Sequence, residues 1–187
     1  MNIEAAILSL VVGLIRHGRI SNLIRIPFRG AYAFAIPLAL FAIASYLTHH
    51  TSDPSLAVLG TRATNILQYL VLLTAIGLNL HIREMKIMGI GAFSNFLTLA
   101  VNGGVMPISL WAARASGVYP FLARTKLVRH AIMTPDSRLR PLTDIIPVPG
   151  FHTVLSLGDV VLAVGIFMLI QRFMFMPSSG AHVEKTD

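Results

Sequence analysis

Residues 56–80 read LAVLGTRATNILQYLVLLTAIGLNL, an apolar run in which Arg62, near one end, is the one charged residue. As a helix rising 1.5 Å per residue it exceeds the roughly 20 residues needed to cross a hydrocarbon core about 30 Å thick. Asn65, Gln68 and Tyr69 fall at i, i+3 and i+4 and so share one face. An unpaired amide in lipid is costly, so that face is expected to meet protein.

Four further apolar segments flank this one. Ile3 to Ile15 has 13 residues, about 20 Å of helix, too short to cross unaided. Gly30 to Leu47 has the length of a span, with Pro37 inside it expected to bend the helix. Ile87 to Val101 carries Asn95 and Thr98 and runs into Asn102-Gly103-Gly104-Val105-Met106-Pro107, a string that predicts a sharp turn. Val154 to Met176 opens with Ser156, Gly158 and Asp159 and ends past Arg172.

Composition agrees with this segmentation. Of 187 residues, 55% are hydrophobic and 12% charged, and the mean hydropathy is +0.71, values far from those of a water-soluble domain. The expected fold is therefore all-α. It is a polytopic transmembrane helical bundle with five hydrophobic segments (3–15, 30–47, 56–80, 87–105 and 154–176), the first a short N-terminal helix. A long basic loop, 114–149, carries a Pro-rich strap, and a polar tail, 177–187, follows the single helical membrane domain 1–176.

The net charge of +7 is not read as nucleic-acid binding, because the basic residues flank apolar runs, where they set orientation and meet headgroups. Candidate lipid-headgroup contacts are Arg16, Arg19, Arg25 and Arg29 in the first connector and Arg124, Lys126 and Arg129 in the long loop. Met1 to Glu4 lacks the positive region of a signal peptide, so the first segment is expected to be retained. The charge order places the N-terminus outside and residues 16–29 inside, with His81 to Lys86 as a basic loop on that same side. Simple alternation then puts the basic loop 114–149 outside, against the positive-inside tendency. Three resolutions stay open: a re-entrant fourth segment turning back at Gly103-Gly104, a first helix that does not cross, or an exception to the rule.

The chain has no cysteine, which excludes disulfides, thiolate catalysis and iron–sulfur clusters. His49 and His50 are adjacent, so they face different ways on a helix, and no Cys, Asp or Glu close by completes a metal set. All seven histidines lie at segment ends or in loops, leaving no mid-membrane axial pair for haem. Zinc-protease, phosphate-loop and nucleophile-elbow motifs are absent. No metal and no cofactor are expected.

Polar residues within apolar segments remain as candidates. A polar pocket could be assembled from Asn95, Asn102, the backbone of Gly103 and Gly104, and Asp159, closed by Asp144 or an arginine of the long loop. The competing and stronger reading is structural: amides that hold helices together, and a carboxylate that caps a helix start. Leu142 to Gly150, with alternate prolines, is expected to be extended and to dock on the helices as a strap.

Several of these strings occur together: Asn95, Asn102-Gly103-Gly104 with Met106-Pro107, Thr134-Pro135, Asp144-Ile145-Ile146-Pro147 with Pro149-Gly150, and Ser156 with Gly158-Asp159. The set resembles an uncharacterised bacterial family of small integral membrane proteins, a domain of unknown function, over nearly the whole chain. Its most specific parts are N-G-G-x-M-P and D-I-I-P-x-P-G. The resemblance implies a helical architecture and the bacterial inner (cytoplasmic) membrane, multi-pass, and it implies no reaction or ligand. The leading expectation is a non-enzymatic accessory or scaffold subunit whose partners are membrane lipids and other membrane-protein subunits. The alternatives are a small-solute or ion carrier with its site at the Asn-Gly-Gly turn and Asp159, and a lipid-headgroup binder or enzyme using the arginine-rich loop.

Overall fold

The computed structural model describes residues 2–50, 53–124 and 130–177. Five longer helices form the body: α1 (Asn2–Ile15), α2 (Ile36–His50), α3 (Pro54–Leu78), α4 (Arg83–Val101) and α7 (Leu157–Met174). Between α4 and α7 lie two one-to-two-turn helices, α5 (Leu110–Ala115) and α6 (Tyr119–Arg124), and four three-residue strands. The strands are β1 (Met106–Ile108), β2 (His130–Ile132), β3 (Ile146–Val148) and β4 (Thr153–Leu155). β1 pairs with β2 in parallel and β3 with β4 antiparallel, so the all-α expectation holds for the body and fails for this insertion.

The helices pack in the order α1, α7, α4, α3, α2. α4 and α7 are antiparallel, because Glu84 at the start of α4 meets Arg172 near the end of α7 and Asn95 meets Asp159. α1 runs parallel to α7, Ser9 lying at Phe167 and Gly13 at Met174. One end of the bundle, the foot, thus gathers the 16–35 connector, the α3–α4 turn and the end of α7. The other end carries residues 102–156 as a cap. Apolar side chains of α3, α4 and α7, among them Ile76, Met85, Met88, Leu162 and Phe173, form the main core. A smaller cluster of Ile108, Ala112, Ala113 and Val154 holds the cap together.

Helix boundaries follow local chemistry. Asp53 caps α3 by accepting from the Ser55 amide at 2.8 Å, with Pro54 in the first turn where its missing donor costs nothing. α4 stops where Gly103 and Gly104 take positive φ, 67° and 80°, and the Gly104 amide returns to the Leu99 carbonyl. Gly91 and Gly158 let α4 and α7 touch, since a Cβ on either would strike the facing chain.

Among the described residues two helices, Ser55–Leu78 and Leu157–Met174, are long and apolar enough to cross a membrane, against the five segments expected. The difference has identifiable causes. The 30–47 run starts with left-handed Gly30 and a 3-10 turn, Ala31–Phe34, so α2 has only 15 residues. Pro37 therefore sits in the first turn of α2 and bends nothing, contrary to the expected kink. α1 is limited to 14 residues. α4 reaches back to include Arg83, Glu84 and Lys86, which were expected in a loop.

The fourth segment does not turn back: the chain continues from Gly104 into β1 and the cap, at the end opposite to residues 16–29. The strap is extended, as expected, but its partner is β4, not the body helices; Pro147 stands opposite Val154 in the register. Lys126 and Arg129 fall outside the described residues, as does the tail beyond Pro177.

Candidate functional site

The residues expected to form one polar pocket are divided among separate nodes. In the first, α4 presents Asn95 to the start of α7. Asn95 Nδ2 donates to Asp159 Oδ1 at 2.8 Å, and Ser156 Oγ donates to Asn95 Oδ1 at 2.7 Å. Ser156 and Asp159 also form a reciprocal capping box: the Asp159 amide donates to Ser156 Oγ, and the Ser156 amide to Asp159 Oδ2. Asn95 and Ser156 are fully buried. Both carboxylate oxygens of Asp159 and the Asn95 carbonyl are thus engaged by the fold, and the ring of bonds ties α4 to α7.

Asn102 belongs to a second node. Its Nδ2 donates to the carbonyls of Thr98 and Arg138, and its Oδ1 accepts from the Arg138 amide at 2.9 Å, holding the cap against the end of α4. Because α4 ends at Val101, Asn95 and Asn102 do not share a helix face. Gly104 packs on the backbone of Arg62, and its carbonyl accepts from Asn65 Nδ2 at 2.9 Å, which joins α3 to the turn. Gly103 faces open space.

Asp144 forms the third node, deep in the cap. Its backbone bridges to Ile108, its amide donating to Pro107 O and its carbonyl accepting from Ser109. Its buried carboxylate lies 3.7 Å from His130 Nε2.

The densest polar cluster at the foot escaped the sequence reading. Glu84 is fully buried and accepts from Arg172 Nη1 and from Arg83 Nε, each at 2.9 Å. Asn79, also fully buried, accepts from the Arg29 amide and donates to the Arg29 and Ala75 carbonyls. Asn22 donates to the carbonyls of Met174 and Met176, stitching the connector to the end of α7. Ser9 and Gln171 join α1 to α7 in the same manner. A signal for Glu84 existed: it is the one acid between Asp53 and Asp136, and it stands beside an apolar run.

Asn65 and Gln68 are buried, as their spacing predicted. The Gln68 amide nitrogen is buried without a hydrogen-bond partner among the described residues. Of the expected headgroup contacts, Arg16, Arg19, Arg25 and Arg29 are all exposed at the foot. Arg124 ends α6 in the cap, on the far side.

A model for a family of unknown function, DUF5317, matches residues 25–171. The chain belongs to DUF5317. The matched span takes in the second 3-10 turn, all of α2, α3 and α4, the cap and most of α7, and so the Asn95, Asn102, Asp144 and Asn79 nodes, while Asn22 and Arg172 lie outside it. An uncharacterized protein of Thermotoga maritima is 30% identical over 191 residues, covering 97% of this chain and 99% of that protein. No solved structure matches.

Proposed function

We propose that this DUF5317 chain is a multi-pass integral membrane protein of the bacterial inner (cytoplasmic) membrane, acting as a non-enzymatic accessory or scaffold subunit. The observation that carries the reading is an inverted distribution of polarity. Ser9, Asn65, Asn79, Glu84, Asn95, Thr98 and Ser156 are buried, while Ile7, Leu8, Leu59, Leu67, Ile90, Phe93 and Val164 are exposed on the helix surfaces. Only 11% of the best apolar window in α3 is buried. In water such a surface aggregates; in lipid it is the ordinary solvated face. The exposed hydroxyls of Thr64 and Thr74 turn back onto carbonyls four residues earlier, the arrangement that removes unpaired donors from an apolar surrounding.

The subunit reading is supported by helix length. The packing order ends in α1 on one side and α2 on the other, helices of 14 and 15 residues, about 21 and 22 Å long against a core of about 30 Å. Longer helices of a partner on either edge would relieve that mismatch. Asn95, Asp159, Asn79 and Glu84 are already committed to bonds within the chain, which favours a structural role over carriage or catalysis. Alkaline-carbonate extraction of membranes followed by purification in mild detergent tests both parts. Retention in the carbonate pellet and a stoichiometric co-purifying membrane protein are expected. Release by carbonate overturns the membrane reading, and a homogeneous lone chain overturns the subunit reading.

A further inference from the structure

Residues 16–29, expected to be a connector, and 30–35, expected to open the second apolar segment, fold into two 3-10 turns, Ile20–Arg25 and Ala31–Phe34, laid across the foot of the bundle. Their backbone is held to the helices. The Arg19 amide donates to Met174 O, Arg29 is gripped on both sides by Asn79, and His81 Nε2 lies 3.0 Å from the Pro27 carbonyl. Leu23, Ile26, Phe28 and Phe34 pack against the core, whereas Ile24, 89% exposed, and Tyr32, 78% exposed, point away from the body. Arg19 and Arg29 serve the fold through backbone atoms, and among the described residues their exposed guanidinium groups are not used by it. The same end carries Arg16, Arg25, Arg83, Lys86 and Arg172, and its one described acid, Glu84, is buried and neutralised within the bundle. The remaining described acids, Glu4, Asp53, Asp136, Asp144 and Asp159, lie at the cap end or on the helix turns that lead to it.

We propose that the foot lies in the headgroup layer of the cytoplasmic leaflet and binds anionic phospholipid there, with Ile24 and Tyr32 in the acyl boundary and Arg19, Arg25 and Arg29 on lipid phosphate. This assignment rests on the membrane reading above and adds two things to it: the lipid class and the sidedness, which places the cap outside. Three arguments converge. A cation surplus within a few residues of the helix ends marks the cytoplasmic side. An exposed isoleucine and tyrosine beside arginines is the composition of an interfacial segment, apolar body down and charge at phosphate level. The five helices put the cap at the far end from the foot, and the foot's seven basic residues against one buried acid outweigh the six against two of 114–149, so the foot takes the cytoplasmic side.

The absence of cysteine makes the sidedness directly readable with single-cysteine variants and a membrane-impermeant maleimide. Asp136→Cys in the cap is expected to label in intact cells, and Ser21→Cys in the foot only after lysis. The reverse pattern overturns the assignment. In nanodiscs containing phosphatidylglycerol, Ile24→Cys is expected to react far more slowly than in detergent, and equal reactivity sinks the foot. Phosphatidylglycerol retained in native mass spectrometry is expected to weaken roughly fivefold for each of Arg19→Gln, Arg25→Gln and Arg29→Gln, while Arg138→Gln and Arg140→Gln in the cap leave it unchanged. Uniform retention across all five overturns the lipid assignment. A chain that resists carbonate but shows a freely reactive Ile24→Cys refutes the foot alone; a chain released by carbonate refutes the membrane reading with it.

Discussion

Asn95 and Asp159 show how an intramembrane-type polar residue is consumed by structure. Each makes bonds that span two helices, and each has a fully buried or half-buried partner. Asn95→Ala removes the acceptor of the Ser156 hydroxyl proton and the donor to Asp159 Oδ1, a loss of about 1–3 kcal/mol, to be read as a lower midpoint of thermal unfolding in detergent. At Glu84 the two arginines are unequal: Arg83 is 73% exposed and Arg172 41%. Arg172→Met is therefore expected to destabilise more than Arg83→Met, by about 1 kcal/mol or more, since the better shielded partner offsets more of the cost of burying the carboxylate. Equal effects in a denaturation series would show that the exposed arginine carries the pair. Gln68 gives the opposite sign. Its amide nitrogen has no partner, so Gln68→Met, similar in shape and without the orphaned donor, is expected to be neutral or to raise the unfolding midpoint.

Among elements, the α4–α7 contact and the turn after α4 decide the arrangement. Gly104 has φ 80° and a Cβ there would meet the Arg62 backbone, whereas Gly103 has φ 67° and open space around it. Gly103→Ala is expected to cost about 1 kcal/mol, the backbone penalty alone. Gly104→Ala adds a steric clash against α3 and is expected to cost about 1–3 kcal/mol more. Parallel thermal unfolding of the two variants separates backbone strain from packing, and identical midpoints would mean that α3 yields freely. The short helices α1 and α2 reflect a different balance. α1 fills its own apolar run, whereas the 30–47 run begins six residues before α2, because left-handed Gly30 and the bonds from Asn79 hold the connector across the foot instead of letting it wind into the bundle.

For the whole molecule, the exposed apolar helix faces are the dominant physical fact, and they motivate the prediction that the purified chain stays monodisperse only in detergent or lipid. Gel filtration after detergent removal is expected to give aggregate, and a soluble monomer would argue that the exposed faces find one another in water. Removing α1 is a second test at this scale. Ser9, Gly13 and Gln171 join it to α7, so a chain lacking residues 2–15 is expected to keep the α3–α4–α7 core and its Asn95 node while losing any partner that docks on the α1 edge. Co-purification with and without that segment makes the comparison.

The sequence by itself determined the apolar segments, the protein-facing amides of α3, the capping residues Ser156 and Asp159, the extended strap and the break at Gly103-Gly104. All of these are local, set by periodicity, by backbone conformation or by bonds across a few residues. What only the tertiary structure decided was which polar group meets which. Asn95 and Asn102, two turns apart in sequence, serve different partners because the helix ends between them. Asp144 was sequestered by strand pairing inside the cap. Glu84 looked like part of a solvated loop until Arg172, 88 residues away, was brought beside it. Hydropathy likewise counted five runs where two helices have the length and composition to cross a membrane. Helix length depends on where long-range bonds arrest the chain, and no window along a sequence contains both ends of such a bond.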